Sequence, residues 1–369
     1  MSLLNRISSG FVFKDEFATD TLNAVWQASP SNDARFSLTE RSGVLRLKHG
    51  DPDLFILMNS PRFDFVFEID TDYDPVRASD QGGIVAFRDQ ETRIEMLEYY
   101  DPIKGTSMKF NNLRMIRRSD LFEGYGSNDG GKTWELIGVS YLSAPKIGMV
   151  LHGVQEGQSD TMDVLEARMY RDTTIQIGNL SEGLVIKLLN DKGVEIGTQT
   201  CKTDEDYVKI DVSKQTFPLA GSVRLYDTTG MMIADTGVIS DMWGGDVFWY
   251  GIKLDIEIDG TLLRQDREFQ LGSMQSGIIE RKLVIINNND IPVYNIRAAI
   301  AAYSDYKGWE WADITVETYG QPGAYKDTAY IGTMQPKERI TLWMKVTKQP
   351  QQQIASLSDY KFRVTFGSG

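Results

Sequence analysis

At 369 residues the chain exceeds the ~250 residues at which a single hydrophobic core usually stops growing, so we expect two or three domains. Its net charge of −13 argues against nucleic acid as a partner, because phosphate binding requires clustered lysine and arginine side chains. The one cysteine, Cys201, excludes an intrachain disulfide, so the stability of the chain does not depend on an oxidising compartment.

The first ten residues are polar, and we predict an N-terminal arm over residues 1–10 that is either disordered or docked on a neighbour. The arm lacks a basic segment followed by an apolar run. This predicts that the chain has no signal peptide and is made and folded in a cytoplasm. No apolar run approaches the ~20 residues that span a bilayer, so we expect no membrane insertion.

Residues 11–172 have the alternation of apolar and polar positions that is typical of β-strands. In the clearest case, the apolar residues Phe63, Phe65, Phe67 and Ile69 alternate with mostly charged ones. Residues 82–87 and 93–100 are further strand candidates. Turn signals such as Asp-Pro and Asn-Asn separate the strands, and no window has helical spacing with caps. The pattern predicts an all-β domain built as a sandwich.

One segment of this domain matches the Asp-box pattern Ser-x-Asp-x-Gly-x-Thr-Trp at every fixed position. The matching residues are Ser127, Asp129, Gly131, Thr133 and Trp134. We predict a β-hairpin in which the aspartate accepts hydrogen bonds from turn amides, the glycine adopts positive φ and the tryptophan packs beneath the loop. Asp boxes occur in sialidases, where they are structural and repeat once per blade. A single copy therefore predicts a structural hairpin and not a catalytic residue.

Two further β-domains are predicted after the first. Residues 173–247 contain short apolar strands joined by Asp-x-x-Gly turns, which is typical of a small immunoglobulin-like or fibronectin-like sandwich. Residues 248–369 alternate again, for example over 253–258, and predict a C-terminal β-sandwich. The sequence thus predicts three β-sandwich domains in series.

The opening of the first domain has a specific order of segments. Residues 13–17 read Phe-Lys-Asp-Glu-Phe, residues 22–26 run from a leucine to a tryptophan, and residues 38–47 read Leu-Thr-Glu-Arg-Ser-Gly-Val-Leu-Arg-Leu. This order resembles the concanavalin-like jelly-roll domain that accompanies β-xylosidases and related carbohydrate-active proteins, over about residues 11–170. The resemblance implies a jelly roll that serves as a binding or structural module. In β-xylosidases the catalytic carboxylates belong to a separate propeller domain. Since this chain has no propeller pattern, we expect that it is not an enzyme.

Motifs for catalysis and for zinc are missing from the sequence. Only His49 and His152 could serve Ser-His-Asp or Cys-His chemistry, and we interpret His152 as a packed histidine at a strand end. No histidine or cysteine pair has zinc spacing, and we expect no required cofactor. The jelly-roll resemblance implies a calcium ion where the first and last strands meet, with Asp15, Glu16 and Asp163 as candidate ligands. The alternative is that these three are solvated acids at strand edges.

A sugar site would use exposed aromatic rings beside planar polar groups. The candidate glycan-binding residues are Arg88, Glu98, Tyr99 and Tyr100 in the first domain, and Trp309 and Trp311 in the third. The alternative is that these aromatic side chains pack in cores or interfaces, which is the commoner fate of such residues.

The second domain ends at residues 243–246 with the sequence Trp-Gly-Gly-Asp. This ending is similar to endings in tail-associated structural proteins of bacteriophages, although a glycine turn at a domain junction also explains it. We predict a non-enzymatic bacteriophage virion protein of the tail, baseplate or fibre. It would be located in the virion, form a homo-oligomer, contact other virion proteins and contact a cell-surface glycan. One alternative is a carbohydrate-binding or accessory protein of bacterial polysaccharide metabolism. The other is a capsid-decorating protein.

Overall fold

The structure is a computed structural model that describes residues 4–31, 34–152, 161–263, 277–289, 291–302, 312–347 and 360–367. Within these segments the chain forms strands, turns and loops, which confirms the predicted all-β fold. No helix in the described segments is long and apolar enough to cross a membrane. The chain divides into two compact units, Met1–Tyr250 and Gly251–Gly369. The predicted domain boundaries after residues 172 and 247 stay predictions.

The first sandwich is built from β2 to β15. In chain order, the first fifteen strands are β1 (Leu4–Ser8), β2 (Phe11–Asp15), β3 (Gln27–Ser29), β4 (Phe36–Ser37), β5 (Leu45–Lys48), β6 (Leu54–Asn59), β7 (Phe65–Asp72), β8 (Gln81–Phe87), β9 (Arg93–Asp101), β10 (Thr106–Met108), β11 (Asn112–Arg118), β12 (Leu121–Ser127), β13 (Glu135–Tyr141), β14 (Lys146–Leu151) and β15 (Thr161–Tyr170). What we name the front sheet has six strands in the order β10-β9-β8-β14-β6-β3. The back sheet has eight strands, in the order β13-β12-β11-β7-β15-β5-β4, with β2 also paired to β15.

The core of the first sandwich lies between these sheets because every second side chain of a strand points inward. In β7, Phe65, Phe67 and Ile69 are fully buried, and they share one cluster with front-sheet residues such as Ile56 and Met149. The alternation that predicted β7 from the sequence is therefore the alternation between this core and the outer face of the back sheet.

The second sandwich combines eight later strands with β1. The later strands are β16 (Thr174–Gly178), β17 (Val185–Asn190), β18 (Glu195–Thr200), β19 (Tyr207–Asp211), β20 (Leu219–Tyr226), β21 (Met232–Asp235), β22 (Ile239–Met242) and β23 (Val247–Tyr250). One sheet has the order β1-β23-β16-β19, and the other has the order β18-β17-β20-β21 with β22 also paired to β20.

The position of β1 differs from the free or neighbour-docked arm that the sequence suggested. Leu4 is 3% exposed in the second core, and β1 pairs antiparallel with β23. The Arg6 guanidinium donates hydrogen bonds to the carboxylates of Asp241 and Asp246 at 3.0 and 3.2 Å. Since the partner Asp241 lies 235 residues along the chain, the N-terminal residues alone contain no signal of this pairing.

The second sandwich covers part of the outer face of the back sheet, on β7, β11 and β15. Val66, Ile116 and Tyr170 point away from the first core and are buried in the core of the second sandwich. Phe217 and Trp243 of the second sandwich pack against Tyr170, with ring centroids 4.7 and 6.4 Å away. Among the described residues, no front-sheet strand contributes to this second core.

A buried ionic cluster lies at the same interface. Glu68 is 2% exposed, and its carboxylate accepts hydrogen bonds from Nε of Arg114 at 2.5 Å and from Nε of Arg168 at 2.6 Å. Arg114 also donates to the carbonyl oxygen of Ser213 in the second sandwich at 2.9 Å. Because a buried charge is tolerated only when it is paired and hydrogen-bonded, these contacts fix how the two sandwiches meet.

The second unit is a third β-sandwich. Its strands are β24 (Leu254–Ile258), β25 (Thr261–Leu262), β26 (Ile278–Asn287), β27 (Val293–Ala302), β28 (Ala312–Thr318), β29 (Gln321–Pro322), β30 (Thr328–Met334), β31 (Arg339–Thr347) and β32 (Tyr360–Gly367). A six-stranded sheet, β25-β24-β26-β31-β28-β29, packs with a three-stranded sheet, β30-β27-β32, around a core that includes Leu283, Val293, Ile314 and Leu342.

Candidate functional site

The outer face of the front sheet presents side chains that the first core does not use. In β6, β8 and β14, the residues Phe55, Val85 and Val150 alternate with core residues and form a separate small cluster. Phe87 and Leu97 are partly buried against this cluster. This face therefore has its own small apolar cluster, on the opposite side of the sheet from the main core.

Four polar side chains, which we call the His152 cluster, lie on this face: Asp53, Arg93, Glu95 and His152. The two ring nitrogens of His152 lie 3.1 Å from a carboxylate oxygen of Asp53 and 3.1 Å from one of Glu95. The guanidinium of Arg93 donates to Glu95 at 2.6 Å and lies 3.6 Å from Asp53. Asp53 directly precedes β6 and His152 directly follows β14, whereas the other two residues begin β9. The twist of the sheet brings these ends together diagonally.

The geometry of the cluster favours a protonated His152. Both ring nitrogens face carboxylate oxygens, which can only accept, and imidazolium is the form that donates from both nitrogens. The hydrogen bond to Glu95 raises the pKa of His152 above its ordinary value, and this effect exceeds the opposing effect of burial. Burial alone would raise the pKa of Glu95, but its contacts with His152 and Arg93 lower it. The cluster thus has two positive and two negative groups and is close to neutral.

The other histidine of the chain, His49, contacts the backbone of His152. His49 Nδ1 lies 3.0 Å from the carbonyl oxygen of His152, and His49 Nε2 lies 3.2 Å from the hydroxyl of Tyr73. His152, predicted to be a packed histidine, is indeed largely buried, but its two carboxylate partners were not foreseen. The only available signal was the presence of charged residues at outward positions of β9.

The predicted glycan-binding residues of the first domain do not form one surface. Tyr99 lies on the outer face of the front sheet. It is in the same cross-strand row as His152 but two strands away, so the backbones of the two residues are ~10 Å apart. Glu98 and Tyr100 point to the opposite side because neighbouring residues of a strand alternate. Arg88 follows β8 in the exposed turn at the far end of the β8–β9 hairpin, ~20 Å along the strand from Tyr99. Whether Arg88, Tyr99 or Tyr100 contacts a sugar stays a prediction.

Trp309 and Trp311, the other predicted glycan-binding residues, lie outside the residues that the structure describes. Glu98 is fully buried, and its carboxyl group accepts a hydrogen bond from the backbone N–H of Phe110 at 2.8 Å and lies 3.1 Å from the hydroxyl of Thr71. Burial raises the pKa of Glu98 to about 8. Glu98 is therefore a buried acid and not a surface ligand.

The three predicted calcium ligands are not brought together. Asp15 is opposite Ala167 in the pairing of β2 with β15, and Asp163 lies four residues from Ala167, which is ~13 Å along the strand. Glu16 forms an ion pair with Lys14 at 2.7 Å. Across the segments described above, no group of three acidic, histidine or cysteine side chains could hold a metal ion.

Arginine side chains occupy the position at Asp163 that calcium was predicted to take. Asp163 is 2% exposed, and its oxygens accept hydrogen bonds from Arg41 at 2.6 Å and from Arg46 at 2.8 Å. Burial alone would raise the pKa of Asp163, but the two guanidinium groups lower it. The carboxylate is thus already neutralised, which removes the reason for a cation at this place.

The Asp-box segment forms a tightly hydrogen-bonded hairpin between β12 and β13. Asp129 accepts from the backbone N–H and the hydroxyl of Thr133 at 2.9 and 2.7 Å. Ser127 donates to Asp129 at 2.9 Å and accepts from the N–H of Gly131 at 3.0 Å. These hydrogen bonds, led by the one from the Thr133 backbone, lower the pKa of Asp129 to about 2. A Cβ at Gly131, whose φ is +79°, would lie 3.1 Å from the ring of Trp134.

Comparison with known proteins finds one family. Residues 14–114 match the family described as the β-xylosidase C-terminal concanavalin A-like domain. No curated protein matches the chain.

Several solved structures are similar to part of the chain. The GH43 protein BlXynB of Bacillus licheniformis is 18% identical, with 42% of this chain and 39% of that chain covered and a TM-score of 0.37. The xylan β-1,4-xylosidase of Bacillus halodurans C-125 is 16% identical, with 43% and 39% covered and a TM-score of 0.37. The GH43B protein of a xyloglucan utilisation locus in Bacteroides ovatus is 16% identical, with 42% and 38% covered and a TM-score of 0.35. The matched part of the chain thus spans about two-fifths of the length of these structures.

These comparisons correct two predictions. The prediction of a bacteriophage virion protein is wrong, because residues 14–114 match a domain of β-xylosidases, which favours the carbohydrate-related alternative. The prediction that the chain is not an enzyme is contradicted by the same family match. These comparisons do not show the similarity to tail-associated proteins. The resemblance derived from the opening segments is confirmed, since residues 14–114 are similar to the C-terminal concanavalin A-like domain of β-xylosidases.

Proposed function

We propose that this chain acts in polysaccharide metabolism and that its first sandwich contacts the carbohydrate through the outer face of the front sheet. Two observations support the proposal. The first is the match of residues 14–114 to a domain of β-xylosidases, which makes a xylose-based polymer the first ligand to test. The second, which supports the front sheet as the contact surface, is that part of the outer face of the back sheet, on β7, β11 and β15, is buried beneath the second sandwich.

The chemistry of the front face suits a neutral sugar chain. The His152 cluster combines two carboxylates, a guanidinium and an imidazolium, and planar groups of this kind exchange hydrogen bonds with sugar hydroxyls. Because the two positive groups balance the two negative ones, neither an anionic nor a cationic polymer is favoured. Tyr99 on the same face supplies an aromatic ring against which a sugar can stack.

The test is a calorimetric titration of the full chain with xylo-oligosaccharides and soluble arabinoxylan. We expect Tyr99→Ala and Glu95→Gln each to weaken binding at least about tenfold, which corresponds to ~1.4 kcal/mol of binding free energy. Tyr100→Ala is the matched control, because it removes the same ring from the opposite side of the same strand. Loss of binding in Tyr100→Ala with retention in Tyr99→Ala would place the contact elsewhere, as would an absence of binding by the unchanged chain.

Glycoside hydrolysis is a second candidate, and one observation favours it. Asp53 and Glu95 are two carboxylates on one face, held on either side of His152. Glycosidases use such a pair, but one member must hold a proton at working pH, and the pKa of Glu95 is lowered. We therefore rank binding first. Release of nitrophenol from an aryl β-xyloside by the purified chain, abolished by Glu95→Gln and by Asp53→Asn, would reverse that order.

A further inference from the structure

In the part of the chain that the structure describes, β13 is an edge strand of the back sheet. Within the described segments, β13 pairs only with β12, so its other side carries unpaired backbone groups. Natural proteins usually protect such an edge with lysine, proline or a cover, because it is a template for pairing with another chain. Here residues 136–144 contain no charged side chain and no proline. The edge is therefore chemically unprotected after Glu135, and its regular part runs from Gly138 onward, after a register shift at Ile137.

Apolar side chains on β13 are unusually exposed. Leu136 is 54% exposed, Val139 is 53% exposed and Tyr141 is 76% exposed. The pairing of β13 with β12 places all three on the outer face of the back sheet, opposite Tyr125, Glu123 and Leu121 respectively. Exposed apolar residues scattered singly need no explanation, but three along one edge strand mark an interaction surface.

The backbone of β13 is directed so that the free edge can accept a strand. The N–H of Leu142 donates to the carbonyl oxygen of Asp120 at 2.8 Å, so Leu142 faces β12. Since alternate residues of an antiparallel strand face the same neighbour, Ser140 also faces β12, whereas Val139 and Tyr141 direct their N–H and C=O groups to the open side. These are the same two residues whose side chains are exposed.

We propose that β13 pairs with β13 of a second copy of this chain, antiparallel about a two-fold axis at Ser140. In that register Val139 of each copy lies opposite Tyr141 of the other. The two open residues of each chain then exchange four hydrogen bonds in total, and each valine packs against a tyrosine. A two-fold axis requires such self-complementarity of one patch, and this strand has it.

The charge of the molecule favours this edge over other contacts between copies. A net charge of −13 makes most surfaces of two copies repel, whereas the uncharged residues 136–144 let two edges approach without bringing like charges together. A strand pair alone buries less than the ~1,200–2,000 Å² of a standard interface, so we expect a dimer whose population depends on protein concentration. The contact lies on the back sheet and leaves the proposed sugar face on the front sheet open. It is also independent of the proposed function.

Sedimentation velocity of the full chain over a concentration series tests the proposal. Val139→Pro removes only an N–H that faces the open edge, and proline is tolerated at such an edge position. Val139→Lys adds a charge beside the axis. We expect each substitution to weaken dimerisation at least about tenfold while thermal unfolding changes little. Val238→Lys is the matched control, because Val238 is 69% exposed in the second sandwich, and it should leave dimerisation unchanged.

Each other outcome overturns the proposal. A chain that stays monomeric at every concentration shows that this edge does not pair with a second copy. A strand of another protein would then be the remaining partner for the edge. A dimer that persists in both Val139 variants is held by a different surface. If Val139→Pro unfolds the domain, Val139→Lys alone decides between these results.

Discussion

At the residue scale, the hydrogen bonds around Glu98 are complete only when this buried acid is protonated. The hydroxyl of Thr71 lies 3.0 Å from the carbonyl oxygen of Phe110 and 3.1 Å from Oε2 of Glu98. The carbonyl can only accept, so it takes the single hydroxyl proton of Thr71. Glu98 must then donate to the threonine oxygen if both contacts are to be hydrogen bonds. This agrees with the pKa of about 8 that burial gives to Glu98.

A raised pKa makes the stability of the first unit fall as pH rises. The folded protein keeps the Glu98 proton up to about pH 8, whereas the unfolded chain releases it near its ordinary pKa of 4.5. Between these values the folded state binds more protons, so this group lowers the free energy of unfolding by up to ~1.4 kcal/mol for each unit of pH increase. Above about pH 8 the effect is constant. Glu98→Gln, whose amide donates to Thr71 at every pH, should flatten this dependence and raise stability at pH 8.

Urea denaturation of both proteins from pH 5 to pH 9 measures the difference. Glu91→Gln, which changes an exposed turn carboxylate in the same hairpin, is the control and should keep the slope of the unchanged chain. If Glu98→Gln keeps that slope as well, Glu98 is ionised in the folded protein and the protonated network is wrong.

At the element scale, the Asp-box hairpin joins the two sandwiches of the first unit. The indole N–H of Trp134 donates to the carbonyl oxygen of Ser213 in the second sandwich at 3.0 Å. The guanidinium of Arg114, which donates to the same oxygen, lies 3.7 Å from the centroid of the Trp134 ring. Trp134 therefore covers an arginine that is itself paired with buried Glu68.

Two substitutions at Trp134 should separate the contribution of its ring to stability from that of its hydrogen bond. Trp134→Phe keeps an aromatic ring over Arg114 but loses the N–H donor, and we expect it to cost ~1 kcal/mol of unfolding free energy. Trp134→Ala also removes the ring, and we expect a cost of ~3–5 kcal/mol. Chemical denaturation monitored by circular dichroism gives both values. Equal costs for the two variants would mean that the ring contributes nothing beyond its hydrogen bond.

The alternation of residues was enough to predict several strands of the first sandwich. The predicted strands over 82–87 and 93–100 correspond to β8 (Gln81–Phe87) and β9 (Arg93–Asp101). The Asp-box pattern likewise predicted the hairpin after β12. Such features are local, because strand periodicity and turn chemistry depend on neighbours in sequence.

Features that depend on pairing between distant segments could not be predicted in this way. The His152 cluster takes one residue before β6, two from β9 and one after β14, and only the order and twist of the sheet bring them together. Tyr99 and Tyr100, which were both predicted to bind glycan, lie on opposite faces of β9 for a local reason. Their alternation on one strand was already readable in the sequence, but the prediction selected both residues by type without assigning them to faces.

At the scale of the whole molecule, the first unit contains two sandwiches that share one interface. Tyr170 ends the last strand of the first sandwich and is fully buried in the core of the second. Its hydroxyl donates to Glu68 at 2.5 Å, so one side chain belongs both to the apolar core and to the ionic cluster. Opening the second sandwich alone would expose the apolar residues that both cores share and break the hydrogen bonds from Arg114 and Trp134 to the carbonyl oxygen of Ser213.

We therefore predict that the two sandwiches of the first unit unfold together. Phe217→Ala removes a ring that packs 4.7 Å from Tyr170, and we expect it to cost ~3–5 kcal/mol. In native-state hydrogen exchange, this loss should appear equally in β17 of the second sandwich and in β6, which lies in the front sheet of the first, because one cooperative unit has one free energy of opening. Strands β26 and β31 of the second unit are the internal control and should exchange as before. Faster exchange in β17 with unchanged exchange in β6 would show that the second sandwich opens alone. The interface would then not couple the unfolding of the two sandwiches.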